Sequence, residues 1–336
     1  MTVHPLLRAL FWPASLLYGA AVRARVWMYQ KGWLRQKRLK GTVISVGNLT
    51  VGGTGKTPMV IWLAEQFLAE GKQVAILSRG YRGSNGSSDE VELMKFRLQD
   101  RVAFGVGKDR FAEGQRLESR RPIDIFLLDD GFQHLQLARD LDILLVDSSR
   151  PLRGQWLLPS GGLREPLSAI HRADIVVFTR VNDQLALKQA IQEFPQFPIF
   201  PASTQLVRYR RMTTNQQSLA PSIELPPQPV FVFCGIGNPE AFFTDVGRWG
   251  NVIAGRAFYR DHHSYDVADI RKLEDLAKAA GARSFLITEK DSQNLGDLRF
   301  SALPIYYCEI EMRVADTSAF QAALERALKD RRGVAA

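Results

Sequence analysis

The sequence predicts an α/β fold, with a parallel sheet covered by helices in a larger domain, a second, smaller α/β domain after it, and a basic, aromatic helical segment in front. Two observations predict the sheets. Short apolar, β-branched runs (TVISV, QVAILS, DIFLLDD, DILLVD and DIVVFTR) alternate with stretches of helical length. Runs of this kind suit strands buried on both faces, as in a helix-covered parallel sheet. The alternation then resumes with VFVFCG, SFLIT and PIYYCEI. A third observation predicts the division: TTNQQS and PSIELPPQP carry no helical period and read as a connection over 208–228. The expected organisation is an interfacial segment at 1–40, a larger domain at 41–207 and a smaller domain at 229–330 closing over a cleft.

Taken in order, residues 1–40 hold Arg8, Arg23, Arg25, Lys31, Arg35, Lys37, Arg38 and Lys40 with no Asp or Glu, so they account for 8 of the net +9 charges. That placement turns the basic balance away from nucleic acid as a partner. Trp12, Trp27 and Trp33, with Phe11, Tyr18 and Tyr29 among leucines, suit the headgroup region of a membrane. The uncharged run Ala9 to Val22 is 14 residues, about 21 Å as helix against a hydrocarbon core of about 30 Å, too short to span. Pro13 is expected to kink or end a helix begun near Pro5, giving two short interfacial pieces. A cleaved signal is disfavoured because the run leads into a basic cluster without a small-x-small site. Attachment to an anionic leaflet is favoured over a helix that packs its apolar face on the protein's own core.

The next elements are the strand TVISV and a helix from about Pro58 to Ala69, with Gly47 to Thr57 between them. A strand, a glycine-rich turn and a helix start present backbone N–H groups and the positive end of a helix dipole to a polyphosphate. The expected nucleotide contacts are Thr50, Val51, Gly52, Gly53, Thr54, Gly55, Lys56 and Thr57, with Lys56 on the β and γ phosphates and Thr57 on Mg²⁺. Thr50 stands where such loops usually carry their first glycine, and Gly52 and Gly53 supply the backbone freedom instead. The larger domain is therefore expected to be P-loop NTPase-like. The strand DIFLLDD ends in Asp129 and Asp130, either of which can hold Mg²⁺. A guanine reader would place Asn-Lys-x-Asp where this chain has Thr179, Arg180, Val181, Asn182 and Asp183, so ATP is favoured over GTP.

In the smaller domain the expected helices cover about Pro239 to Gly247, Val267 to Ala280 and Thr317 to Lys329. Cys234 and Cys308 sit in apolar, strand-like runs and read as buried small hydrophobes. The composition, 46% apolar and 24% charged over 336 residues, excludes wholesale disorder, collagen-like repetition and a disulfide scaffold.

Several segments together resemble the lipid A 4′-kinases (tetraacyldisaccharide 4′-kinases). They are PASLLYG at 13–19, ISVGNLTVGGTGKTP at 44–58, LSRGYRG at 77–83, VGKDR at 106–110, DDGFQH at 129–134, LLPSGGLREP at 157–166, CGIGNP at 234–239, the FYRDHHSY run at 258–265 and ITEKD at 287–291. The resemblance implies ATP-dependent transfer of the γ-phosphoryl group to the 4′-hydroxyl of a tetraacyldisaccharide 1-phosphate; with the basic, aromatic residues 1–40, a monomer at the cytoplasmic face of the inner membrane is the expectation. It also implies a base formed by Asp89 and His262, although the segment Ser88 to Val91 departs from the family's Gly-Asp-Glu-Pro and leaves Glu90 or Glu92 as alternatives. Arg164 is a candidate phosphate clamp and Glu165 a candidate partner of the metal shell, with a surface ion pair as the plainer reading. Lys290, Arg79 and Arg82 are further candidates for phosphate, each equally suited to a solvated role. The rivals are a cytosolic P-loop ATPase switch or metal-insertion protein, and a membrane adaptor that only binds nucleotide.

Overall fold

The computed structural model describes residues 5–80, 88–149, 154–181, 187–188, 191–192, 194, 196–212, 225–261, 263–296, 298, 300 and 303–334. His262 and Arg82 lie outside the described residues. The chain forms two compact units that are not consecutive blocks of sequence: residues 1–81, 97–203 and 312–336 make the first, and 82–96 with 204–311 the second. The carboxyl-terminal helix thus belongs with the nucleotide loop. Part of the expected connection, 208–211, is instead strand, because alternation in IFPASTQLVRYRR carries pairing through to Arg211.

The first unit begins with helix α1 (Pro5–Gln30), followed by β1 (Thr42–Asn48), α2 (Lys56–Ala69) and β2 (Val74–Ser78). After α3 (Asp89–Leu98) come β3 (Ala103–Val106), α4 (Arg110–Glu118), β4 (Ile125–Asp129), β5 (Leu141–Asp147), β6 (Ile175–Thr179) and the start of β7 (Ile199–Arg211). Its strand order is β3-β2-β4-β1-β5-β6-β7. Pairing is parallel from β3 through to β7. All seven residues of β1 are buried, as are all of β4 and β5, which is why these strands read as mostly apolar runs with no polar alternation. Because β4 and β5 flank β1 on opposite sides, the chain reverses direction across β1. That switch point opens a crevice at the strands' carboxyl ends.

The second unit holds β8 (Val230–Cys234), α5 (Pro239–Arg248), β9 (Ile253–Phe258), α6 (Val267–Ala279), β10 (Ser284–Thr288), α7 (Glu289–Leu295) and most of β11 (Ile305–Val314), and α8 (Thr317–Val334) then returns to the first. Its order is β11-β10-β8-β9, all paired in parallel. Along β8 the side chains divide by the period of two: Phe231 and Phe233 join one apolar cluster, and Val230, Val232 and Cys234 the other. Both cysteines are buried and unoxidised, as expected.

Helix α1 runs unbroken through Pro13 for 26 residues, in place of the two pieces expected. The hydrogen bond that Pro13 removes lies ahead of the stretch held against the body, so its loss does not end the helix. That stretch is a stripe of helical spacing in which Ser15 and Gly19 are buried and Tyr18, Val22, Val26 and Tyr29 partly so. Ser15 Oγ donates to the Leu157 carbonyl at 3.1 Å and accepts from Ser160 N at 3.0 Å, while Tyr18 Oη donates to the Arg164 carbonyl at 2.8 Å. A Cβ on Gly19 would lie 2.7 Å from Leu157 Cδ1, so small residues let the helix approach closely. The large apolar residues point outward: Leu10, Leu16 and Leu17 are 70%, 53% and 74% exposed, with Phe11, Trp12 and Trp27 also exposed. No helix among the described residues is long and apolar enough to cross a membrane.

Candidate active site

The nucleotide loop hangs between β1 and α2, and its shape is set by what takes its carbonyls. Asn48 Nδ2 donates to the Thr50 carbonyl at 2.8 Å, and the backbone of Leu49 and Val51 is bonded to Arg164 and Gly162. Gly55 caps α2 in the left-handed region at φ 87°, and a Cβ there would meet Met312 Cε at 3.0 Å, so only glycine fits. The helix starts at Lys56, two residues earlier than expected, and Pro58 falls in its first turn, where N–H groups have no intrahelical partner. Among the described residues, the N–H groups of Gly52 to Thr57 meet no backbone carbonyl. The Thr54 hydroxyl is buried without a partner. A Cβ on Gly53 would meet nothing within 4 Å. Such a cradle of donors with open space above it fits a polyphosphate.

Beside the loop, the end of β4 gathers opposite charges. Asp130 has φ 47°, and Gly131 after it has no room for a Cβ, which would lie 2.7 Å from Ser45 Oγ. This turn sets Asp130 among three cations, two of which meet its carboxylate. Lys56 Nζ is 3.6 Å from it and Arg164 Nη1 donates to both its oxygens at 2.8 and 2.7 Å. Buried Arg110 donates to the Asp130 carbonyl at 3.3 Å. Burial favours the neutral acid, but Lys56, Arg164 and Arg110 outweigh it and hold Asp130 below the usual carboxylate range. Asp129 is buried and accepts from Ser78 Oγ at 3.1 Å. The structure therefore brings Lys56, Asp129, Asp130 and Arg164 together. It adds Arg110, which sequence reasoning quoted within VGKDR without assigning it a role.

Glu165 is placed differently. Both its oxygens are taken by Arg172 at 2.6 and 2.8 Å, Gln133 Nε2 donates to Oε1 at 3.1 Å, and the carboxylate is buried. Gln133 Nε2 also donates to the Asn48 carbonyl at 2.9 Å. Glu165 thus braces the carboxyl end of β1 through Gln133, a structural task that the surface-pair reading of LREP did not contain. Among the described residues no group of three or more His, Cys, Asp or Glu could hold a metal ion. A cation here would rest on few protein oxygens plus phosphate and water, which suits Mg²⁺.

His134 closes DDGFQH. Burial, with Arg110, Arg139 and Arg25 nearby, pushes its imidazole down to about 4 from 6.5. Between those values the unfolded chain binds a proton that the folded chain refuses, so the contribution is whole above about 6.5 and is lost as pH falls toward 4. Urea unfolding from pH 8 to 5 is expected to show stability dropping below pH 6.5 by up to about 1.4 kcal/mol per pH unit from this group. The His134→Gln chain should show a shallower slope, and identical slopes would remove His134 as the cause.

In the second unit, Asp89 is the first residue of α3 and not a loop acid, and Asn294 Nδ2 donates to its Oδ2 at 3.1 Å. Glu90 and Glu92 face lysines, Lys290 at 3.9 Å and Lys95 at 3.0 Å. Lys290 lies in the first turn of α7 and also pairs with Asp261 at 3.1 Å. His263 takes a structural place, its Nε2 2.7 Å from Asp269 Oδ2 and its ring stacked on Tyr259. Sequence reasoning quoted Asp291 within ITEKD without assigning it a role. Fully buried, it accepts from Gly235 N and Tyr265 Oη, both at 2.8 Å, and from Thr288 Oγ1 at 2.5 Å. Burial raises its carboxyl despite these donors. It ties CGIGNP, FYRDHHSY and ITEKD into one unit.

A family model described as Tetraacyldisaccharide-1-P 4′-kinase matches residues 7–329. A Tetraacyldisaccharide 4′-kinase of Geobacter metallireducens is 36% identical over 96% of this chain and 99% of its own. Its counterpart in Geobacter sulfurreducens is 38% identical over 94% and 92%. The solved "apo" form of LpxK from Aquifex aeolicus, in complex with ATP, matches with a TM-score of 0.74 at 28% identity, over 96% of this chain and 99% of that one.

Proposed function

The chain belongs to the tetraacyldisaccharide-1-P 4′-kinase family, and from that premise we propose how its own residues carry out the reaction. It is an ATP-dependent kinase that transfers the γ-phosphoryl group to the 4′-hydroxyl of tetraacyldisaccharide 1-phosphate, forming the bis-phosphorylated precursor of lipid A. The observation that carries the nucleotide half is Lys56 at the start of α2, set beside Asp130 with Arg164 and Arg110. Phosphoryl transfer is mostly positioning and charge neutralisation. The N–H groups of Gly52 to Thr57 cradle the phosphates, and Lys56 leaves Asp130 for the β and γ oxygens. Arg164 and Arg110 supply further positive charge.

Mg²⁺, held by Thr57 with Asp129 or Asp130, would neutralise charge between the phosphates. Glu165 serves that region through Gln133. Asp89, with His262, takes the proton of the acceptor hydroxyl as its oxygen attacks the γ-phosphorus, and ADP departs.

A four-chain lipid stays in the bilayer, and α1 is suited to meet it there. Ser15 and Gly19 face the protein, Leu10, Leu16, Leu17, Trp12 and Trp27 face outward, and the segment is basic. Residues 1–40 thereby attach the enzyme, peripherally or monotopically, to the cytoplasmic face of the inner membrane. Replacing exposed Leu10, Leu16 and Leu17 together by Ser should leave the fold intact. It should cut partitioning into anionic vesicles by more than about tenfold, since each leucine withdrawn from water is worth about 1.5–3 kcal/mol when fully buried. Unchanged partitioning would sink the assignment of that face.

The activity itself is tested by transfer of labelled γ-phosphate from ATP to tetraacyldisaccharide 1-phosphate in detergent micelles. A folded chain that binds ATP and transfers nothing would favour an ATPase switch instead.

A further inference from the structure

The ends of β5 and β6 hold a set of contacts that the reaction described above does not use. Thr179 Oγ1 donates to the Thr54 carbonyl at 3.0 Å, and its side chain lies beneath Gly55, where a Cβ would come within 3.7 Å of Thr179 Cγ2. The next residue, Arg180, donates from Nη1 to the Gly53 carbonyl at 2.8 Å and to Asp147 Oδ2 at 2.6 Å. Asp147 is itself fixed, its Oδ1 accepting from Ser149 N at 3.0 Å and Ser149 Oγ at 2.6 Å. Ser148 joins the two strand ends, its N donating to the Thr179 carbonyl and its Oγ to the Arg180 carbonyl at 3.0 and 2.6 Å. Arg180 has φ 55°, a left-handed conformation that is strained for a residue with a Cβ. Strain of this kind persists where surrounding bonds over-determine it.

A peptide unit whose carbonyl is pinned on one side presents the following N–H on the other, because the two are antiparallel across a planar bond. Pinning the Gly53 and Thr54 carbonyls therefore turns the N–H groups of Thr54 and Gly55 toward the phosphate side. We propose that Thr179 and Arg180, held by Asp147, form a bracket that sets the nucleotide loop in its phosphate-binding conformation, making them positioning residues for ATP affinity. The bracket occupies the place where a guanine reader would sit and acts on the loop backbone. It rests on the reading of the loop as an ATP site.

The test is equilibrium binding of a fluorescent ATP analogue to the full chain in detergent. Arg180→Met should weaken binding by about ten- to a hundredfold, the loss expected for a charge-assisted hydrogen bond, and Thr179→Val by about threefold or more. Arg180→Lys and Thr179→Ser, which keep a donor, should recover most of the affinity. Arg180→Met withdraws a cation from buried Asp147, so the double variant Arg180→Met/Asp147→Asn guards against a folding defect and should bind as weakly as the single one. In transfer assays KM for ATP should rise while KM for the lipid acceptor holds, a split that a general loss of folded protein would not produce. A wild-type chain that fails to bind the analogue would overturn the nucleotide reading and the bracket with it. Wild-type binding with wild-type affinity in all the variants would overturn the bracket alone.

Discussion

The Lys56→Met chain is expected to transfer phosphate about a thousandfold more slowly than the unmodified chain, at the upper end of what one preorganised electrostatic contact contributes to a transition state. Lys56 is the first residue of α2; its side chain is only 12% exposed and its ammonium lies 3.6 Å from Asp130. No other lysine among the residues gathered at this site can take its place. Methionine retains the alkyl stem and removes the charge, so the loop's packing is kept while the γ-phosphate loses its counter-charge. The measurement is single-turnover transfer of labelled γ-phosphate at saturating ATP, with thermal melting to verify the fold. Near-normal turnover by the Met variant would mean that Arg110 and Arg164 carry the neutralisation alone.

Asp89→Asn should lower kcat by about 10²- to 10⁴-fold, the usual range for a general base, with KM for ATP little changed. Asparagine keeps an oxygen to accept from Asn294 Nδ2, which lies 3.1 Å from the Asp89 carboxylate, so the start of α3 need not move. If Asp89 and His262 act as one unit, the double variant Asp89→Asn/His262→Ala should be scarcely slower than either single variant. A kcat untouched by Asp89→Asn would transfer the role to Glu90 or Glu92, which the same assay on their Gln variants separates. A double variant whose losses multiply would instead make the two groups independent.

The strands most legible in the sequence were those buried on both faces, such as β1, β4 and β5, because burial makes them mostly apolar, with only a few polar residues such as Ser45 and Asp142 inside them. The strands missed were β3, only four residues with a glycine, β7, which contains Pro201, and β9, IAGRAF, a partly exposed strand at the end of its unit's order. Half-exposed strands tolerate polar side chains, and their pattern then fades into that of a loop. The nucleotide loop was legible despite Thr50, since strand, turn and helix start fall within one short segment. The cluster around Asp130 was only half legible: Arg110 and Arg164 lie 20 and 34 residues away in sequence.

By itself, then, the sequence determined the buried parallel strands, the phosphate loop, the acidic strand end and the one-signed amino terminus, each a property of consecutive residues. Tertiary structure alone decided that α1 turns Leu10, Leu16 and Leu17 outward, because Ser15 and Gly19 permit a close approach that the larger side chains on its other faces do not. It decided equally that Glu165 is committed to Arg172, that Asp291 fastens three separate segments, and that Thr179 and Arg180 pin the loop carbonyls. Pairings of this kind arise only when sheet order brings distant strand ends side by side, and no local pattern encodes which partner a charge will meet.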